Sequence, residues 1–247
     1  MTPRTHVAAA LVLLLAACSR RPDVPILGYH SVSDATDGFT VSEADFASHL
    51  DALQRGGFHT VTLHEWLAHE DRGTALPERP IVLTFDDGFE DAYSTVLPAL
   101  RKRSMRGSFF VVTSLVAPDP AHRLVRGEDG GQRSYLVWPE VRALAAAGME
   151  IGSHGESHLR LSDLDRARVL GELTRSKQAL DQALGSPVEM LAYPYNSVRR
   201  WIVPLARESG YRAAVAGRAH GNGDRFTLYR TGVYRGMTAD QVLAELR

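Results

Sequence analysis

"IVLTFDDGFEDAY", residues 81 to 93, runs from a stretch of apolar, strand-forming residues straight into two adjacent carboxylates, Asp86 and Asp87, and on toward a helical pattern. The same alternation recurs outward in both directions. Short runs rich in β-branched and aromatic residues occupy positions 25–32, 59–63, 80–85, 107–112, 149–154, 189–195, 212–217 and 228–234. Helical patterns lie between most of them. Ser42 is placed to cap the helix that follows it, residues 90–105, 139–147 and 164–184 carry apolar side chains at three and four spacing, and Gly148 and Gly185 stand where helix-ending glycines belong. Seven or eight strands alternating with helices predict an α/β fold with a parallel sheet, closed as a barrel or open. The longest irregular stretch, residues 117–134, is long enough to be a functional loop.

The doublet at 86 and 87 sharpens the question of function. A single Asp could cap a helix, and Gly88 could mark a plain turn. Two like charges side by side raise each other's pKa, so the pair is costly unless a cation or a proton-transfer role offsets the repulsion.

At 247 residues, 44% hydrophobic and 23% charged, the chain can bury the core of a single domain. The formal net charge of −1, with no basic run longer than Arg101 to Arg103, argues against a nucleic-acid partner. The first residues have another character. Arg4 precedes an apolar run from Val7 to Ala17, which is too short to span a bilayer and has the form of a secretory signal. The lone cysteine, Cys18, follows that run directly and resembles the lipidated cysteine of bacterial lipoproteins. The expected organisation is therefore a signal peptide over residues 1–17, a short anchor segment over 18–24 and a catalytic domain over 25–247. The expected location is the cell envelope, with the chain exported and held to a membrane by acyl chains on Cys18.

In parallel α/β folds chemistry gathers at the carboxyl ends of the strands. His30 ends the first strand, Asp86 and Asp87 end another, His154 and His158 follow a further one, and Tyr193, Pro194 and Tyr195 follow yet another. His154 and His158 stand four apart, on one side of a helical turn or converging from a compact loop. Two imidazoles and a carboxylate form the familiar open ligand set of a catalytic zinc ion.

These motifs carry a resemblance. Thr84-Phe85-Asp86-Asp87-Gly88, then Ser153-His154 with His158 and Leu161, then Tyr193-Pro194-Tyr195 resemble the polysaccharide deacetylases of the NodB-homology type, carbohydrate esterase family four. The resemblance implies a distorted (β/α) barrel of seven or eight mostly parallel strands that removes acetyl groups from sugars with one divalent metal ion. Zinc is expected, and cobalt or nickel would suit the same ligands. Carried over by position, Asp86 is the general base, Asp87, His154 and His158 are the metal ligands, and the backbone N–H of Tyr195 belongs to the oxyanion site.

The sequence also departs from the family pattern. The Arg usually found two residues before the Pro is Ala192 here, and the usual late Leu-x-x-His is absent, the only later histidine being His220. Arg230 is the expected substitute for the guanidinium and His30 for the general acid. That arrangement resembles the subgroup acting on exopolysaccharide poly-N-acetylglucosamine. The expected substrate is thus an acetylated glycan, most simply N-acetylglucosamine units, met by a monomer. Two other classes fit less well: a glycan-binding lipoprotein that has lost the chemistry, and a magnesium-dependent phosphohydrolase, which the two histidines disfavour. Trp138 reads as a core or capping aromatic, and His49, His59, His64, His69 and His122 read as surface residues.

Overall fold

The structure, a computed structural model, describes residues 24–128, 131–217 and 224–246. The signal segment, Cys18 and His220 lie outside the described residues. The chain enters on β1 (Ile26–Tyr29), beyond which the short strands β2 (Ser31–Val32) and β3 (Thr40–Val41) pair with each other. Helix α1 (Glu43–Arg55) starts at Ser42, whose side chain accepts the Asp45 N–H as expected. Strand β4 (His59–Val61), helix α2 (Leu63–Arg72) and strand β5 (Pro80–Phe85) follow. Then come helix α3 (Leu97–Arg101), strand β6 (Ser108–Val111), the antiparallel hairpin β7 (Val125–Glu128) and β8 (Gly131–Ser134), and helix α4 (Trp138–Ala146). The last third alternates β9 (Glu150–Ser153), α5 (Arg166–Leu184), β10 (Met190–Ala192), α6 (Val203–Glu208), β11 (Ala213–Gly217), β12 (Leu228–Gly232) and α7 (Ala239–Ala244).

Seven of these strands, in the order β1, β12, β11, β10, β9, β6, β5, close into a parallel barrel because β1 pairs with β5 as well as with β12. The eighth, β4, pairs with the first half of β5. The expected distorted barrel is therefore present. Ile26, Val82, Phe110, Met190, Ala192, Ala213 and Val215 pack together as the apolar filling of the barrel. A side chain at Gly152 would lie 2.4 Å from the Phe110 ring, so that glycine is the space Phe110 occupies. The intervening residues, among them Leu27, Tyr29, Leu83, Phe85, Phe109 and Ile151, form the outer layer under the helices.

Several features differ from the sequence reading. Helix α2 was not expected, yet Thr62 and Glu65 form a reciprocal capping box, and the Glu150 carboxylate accepts the Leu63 and His64 N–H groups at 2.9 and 2.8 Å. The helix expected over 90–105 is shorter, because Pro98 has no N–H to return to Ser94 and the turn before α3 widens into a π-type turn over Ala92–Val96. The stretch expected to be irregular contains the hairpin β7–β8. His49 is fully buried and not a surface residue. It shares the inward face of α1 with Phe46, Leu50 and Leu53, and its Nε2 lies 2.7 Å from the Met237 carbonyl.

Candidate functional site

Asp86, Asp87, His154, His158, His30, Tyr195 and Arg230 line one cleft at the carboxyl end of the barrel. Asp86 and Asp87 follow β5, and Asp87 and Gly88 both take left-handed backbone conformations, φ 72° and 75°. That double reversal turns the two neighbouring carboxylates toward different partners. His154 leaves β9 directly, while His158 sits in a compact loop at φ 55°. Of the two arrangements open from the spacing, the loop is the one adopted.

Nε2 of His154 and Nε2 of His158 lie 3.3 and 3.2 Å from Asp87 Oδ1. This oxygen is buried and accepts no hydrogen bond of good geometry. Nδ1 of His154 is 2.8 Å from the Ala192 carbonyl and must donate to it, so in the neutral ring Nε2 is the nitrogen left to bind a cation. One ligand atom from each of the three residues falls within 4.8 Å of the others. Burial pushes the Asp87 carboxyl up, but the imidazoles of His154 and His158 outweigh it and hold the group well below the usual carboxylate range. Burial likewise lowers His154, and Asp86 and Asp87 reverse that and raise it. The pocket thus favours positive charge, carried by a protonated imidazole or by a bound cation. Two neutral imidazoles and a carboxylate with open positions suit Zn²⁺ or a similar divalent ion.

Asp86 is buried beside this cluster, with His154 Nε2 3.9 Å away. It is gripped by Arg230 in a two-pronged pair, Nη1 donating to Oδ1 at 2.7 Å and Nη2 to Oδ2. Arg230 Nη1 also donates to Thr84 Oγ1 at 3.2 Å, and Thr84 donates to the Leu27 carbonyl. Burial alone would raise Asp86; Arg230 foremost, and then His154, more than offset it, so its pKa lies below the ordinary value. Arg230 reaches Asp86 by crossing β1, the strand between their own. It passes over Gly28, where a Cβ would lie 3.3 Å from the Arg230 Cδ.

A cleft of about 1020 Å³ opens over these groups, and His30, Tyr195 and Arg230 line it with the metal-ligand candidates. His30 packs 5.1 Å from the Phe39 ring, and its Nδ1 is buried without a hydrogen-bond partner. Tyr195, at φ 57°, lies over His158 at 4.6 Å. Phe39, Tyr195 and Tyr234 are 55%, 52% and 48% exposed on the rim, which is more open aromatic surface than a core would leave, and which suits the faces of sugar rings.

Sequence reasoning missed the wall beside His30. Arg133, buried and carried by β8, donates to Ser31 and Ser33 at 3.1 and 3.2 Å and pairs with Asp37. Ser31 in turn donates to Asp91 at 2.5 Å, and burial pushes the Asp91 carboxyl up to about 7. It also missed Asn196, at φ 52°, whose side chain fills the space left by Gly217.

Comparison with known proteins gives this arrangement a family. The sequence profile of the polysaccharide deacetylases matches residues 73–214, over half of the chain, and the chain belongs to that family. A Bacillus subtilis protein named for the same family, YxkH, is 26% identical over 218 residues, covering 87% of this chain and 73% of its own. The Staphylococcus aureus poly-beta-1,6-N-acetyl-D-glucosamine N-deacetylase is 22% identical over 193 residues, with 74% of this chain and 63% of that protein covered. This chain therefore spans less than two thirds of the staphylococcal protein. Among solved structures, the Streptococcus pyogenes deacetylase PplD in complex with acetate superposes with a TM-score of 0.78 at 20% identity, over 91% of this chain and 98% of that one. Membership makes the chain, by class, a hydrolase of polysaccharide acetyl groups.

Proposed function

We propose that this chain removes acetyl groups, chiefly the N-acetyl groups of N-acetylglucosamine units, from a polysaccharide of the cell envelope or its surroundings, using one divalent metal ion. The observation that carries the reading is the convergence of Asp87 Oδ1 with Nε2 of His154 and His158, three possible ligand atoms in one place. Asp87, His154 and His158 would hold the ion. Bound there, a divalent cation polarises the acetyl carbonyl and makes water beside it more acidic.

The remaining work belongs to side chains. Asp86, kept ionised by Arg230, takes the proton from the attacking water. The Tyr195 N–H donates to the oxygen on which negative charge develops. His30, which lines the same cleft, gives a proton to the departing amine. The protein works as a monomer, exported and anchored through a lipidated Cys18.

Acetate release from N-acetylglucosamine oligomers, peptidoglycan and acetylated xylan, with and without chelator, tests the reading. Release from the first substrate that stops with chelator and returns with Zn²⁺ is expected, together with about one ion per chain, lost in His154→Ala. Glycan binding with no acetate released by the metal-loaded protein would sink the enzyme reading.

A further inference from the structure

Beyond Tyr195 the cleft continues into a second groove of about 1030 Å³, lined by Arg160, Arg199, Arg200 and Arg207. Arg160, Tyr195 and Asn196 line both spaces, so a polymer lying over the metal centre would run on into this groove. Among the described residues its single lining carboxylate is Asp224, which stands 3.4 Å from Arg207. Arg160 stacks on the Tyr195 ring at 4.6 Å and meets Asp163 only at 3.9 Å. Arg199 and Arg200 are exposed and have no ion-pair partner among the described residues. The whole chain carries a formal net charge of −1, so four guanidinium groups on one groove are a local concentration and not a general basicity. The hydroxyls of Ser162 and Ser197, also in the lining, add short polar groups between the charges.

We propose that this groove binds negatively charged groups of the glycan, so that the substrate is an acetylated polysaccharide bearing carboxylates or phosphates beside the residue being deacetylated. The proposal rests on the deacetylase reading and narrows its substrate. Guanidinium groups recognise planar carboxylates and phosphate oxygens alike, which leaves the two sources to experiment. A membrane surface is the less suitable partner, because the groove opens from the catalytic cleft and not from a separate face of the barrel.

The test compares oligomers of equal length: one neutral, of N-acetylglucosamine; one alternating with N-acetylmuramic acid, which carries carboxylates; and one carrying phosphodiesters. The full chain is used with Cys18→Ser, so that an acyl anchor does not mask weak association. One charged oligomer should show a kcat/KM above the neutral one, an advantage that shrinks as salt rises. The Arg199→Gln/Arg200→Gln double variant should cut the charged-to-neutral ratio of kcat/KM by roughly fivefold or more, mainly through KM, the size two exposed ion pairs supply. Whichever charged oligomer responds identifies the anion. An unchanged ratio, with acetate still released, would overturn the groove and leave the deacetylase standing. Arg199- and Arg200-dependent binding of a charged oligomer without any acetate release would do the reverse. Loss of phosphatidylglycerol-vesicle binding in the double variant, with no oligomer preference in either protein, would assign the arginines to a membrane and overturn the proposal.

Discussion

Asp86 and Asp87 are chain neighbours whose carboxylates meet different partners, one a guanidinium and the other two imidazoles. Substitution should separate them. Asp86→Asn should keep the metal and lose roughly a hundredfold or more in turnover, because it removes a base and spares the ligands; metal loss equal to that of Asp87→Ala would show the roles are wrongly divided. Arg230→Met tests the partner. Burial alone raises Asp86 and Arg230 foremost lowers it, so without Arg230 the carboxyl holds its proton to higher pH. A base must be ionised to work, and the acidic limb of the pH–rate profile should therefore move upward. The metal content, which does not involve Arg230, reports whether the site stays assembled. An unmoved limb would give the control of Asp86 to another group.

At the scale of elements, the link between Asp86 and Arg230 depends on what β1 leaves out. Gly28 is opposite Thr84 on one side and Gly232 on the other, and the Arg230 side chain crosses at that point. Gly28→Val should push the guanidinium away and shift the acidic limb in the same direction as Arg230→Met, though neither partner has been altered. The two substitutions combined should be far from additive, since both break one contact. Full additivity would mean that Arg230 reaches Asp86 by some other support. The elements also show where the sequence was readable. Strand ends bearing Asp-Asp-Gly, His-x-x-x-His and Tyr-Pro-Tyr announce themselves, because polar residues at the close of an apolar run have few structural uses. Arg230 was legible only as a substitute for the absent Arg at Ala192. Arg133 was not legible: its work is done through a hairpin inside a stretch read as loop, although the Asp-Gly at 129 and 130 is a turn signal. His49 escaped because a lone histidine looks solvated until the spacing from Phe46 and Leu53 is followed around the helix.

For the molecule as a whole, the barrel explains how the site is held, and the proposed location rests on the residues before it. No helix among the described residues is long and apolar enough to cross a membrane. If the proposed acyl anchor holds the protein, Cys18→Ser should release it from the membrane fraction with its deacetylase activity intact. A variant that still pellets with membranes and resists salt would count against the anchor. The closure of the barrel also bears on the order in which the protein comes into being. The metal-ligand candidates and Asp86 all lie at or before His158, whereas the partner of Asp86 arrives on β12, the strand that joins the sheet to β1. During synthesis, a chain extended only through α6 has the three metal-ligand candidates and Asp86 but neither a closed sheet nor the guanidinium that pairs with Asp86. Closure of the sheet and the partner of Asp86 therefore come with the same five residues, Leu228–Gly232.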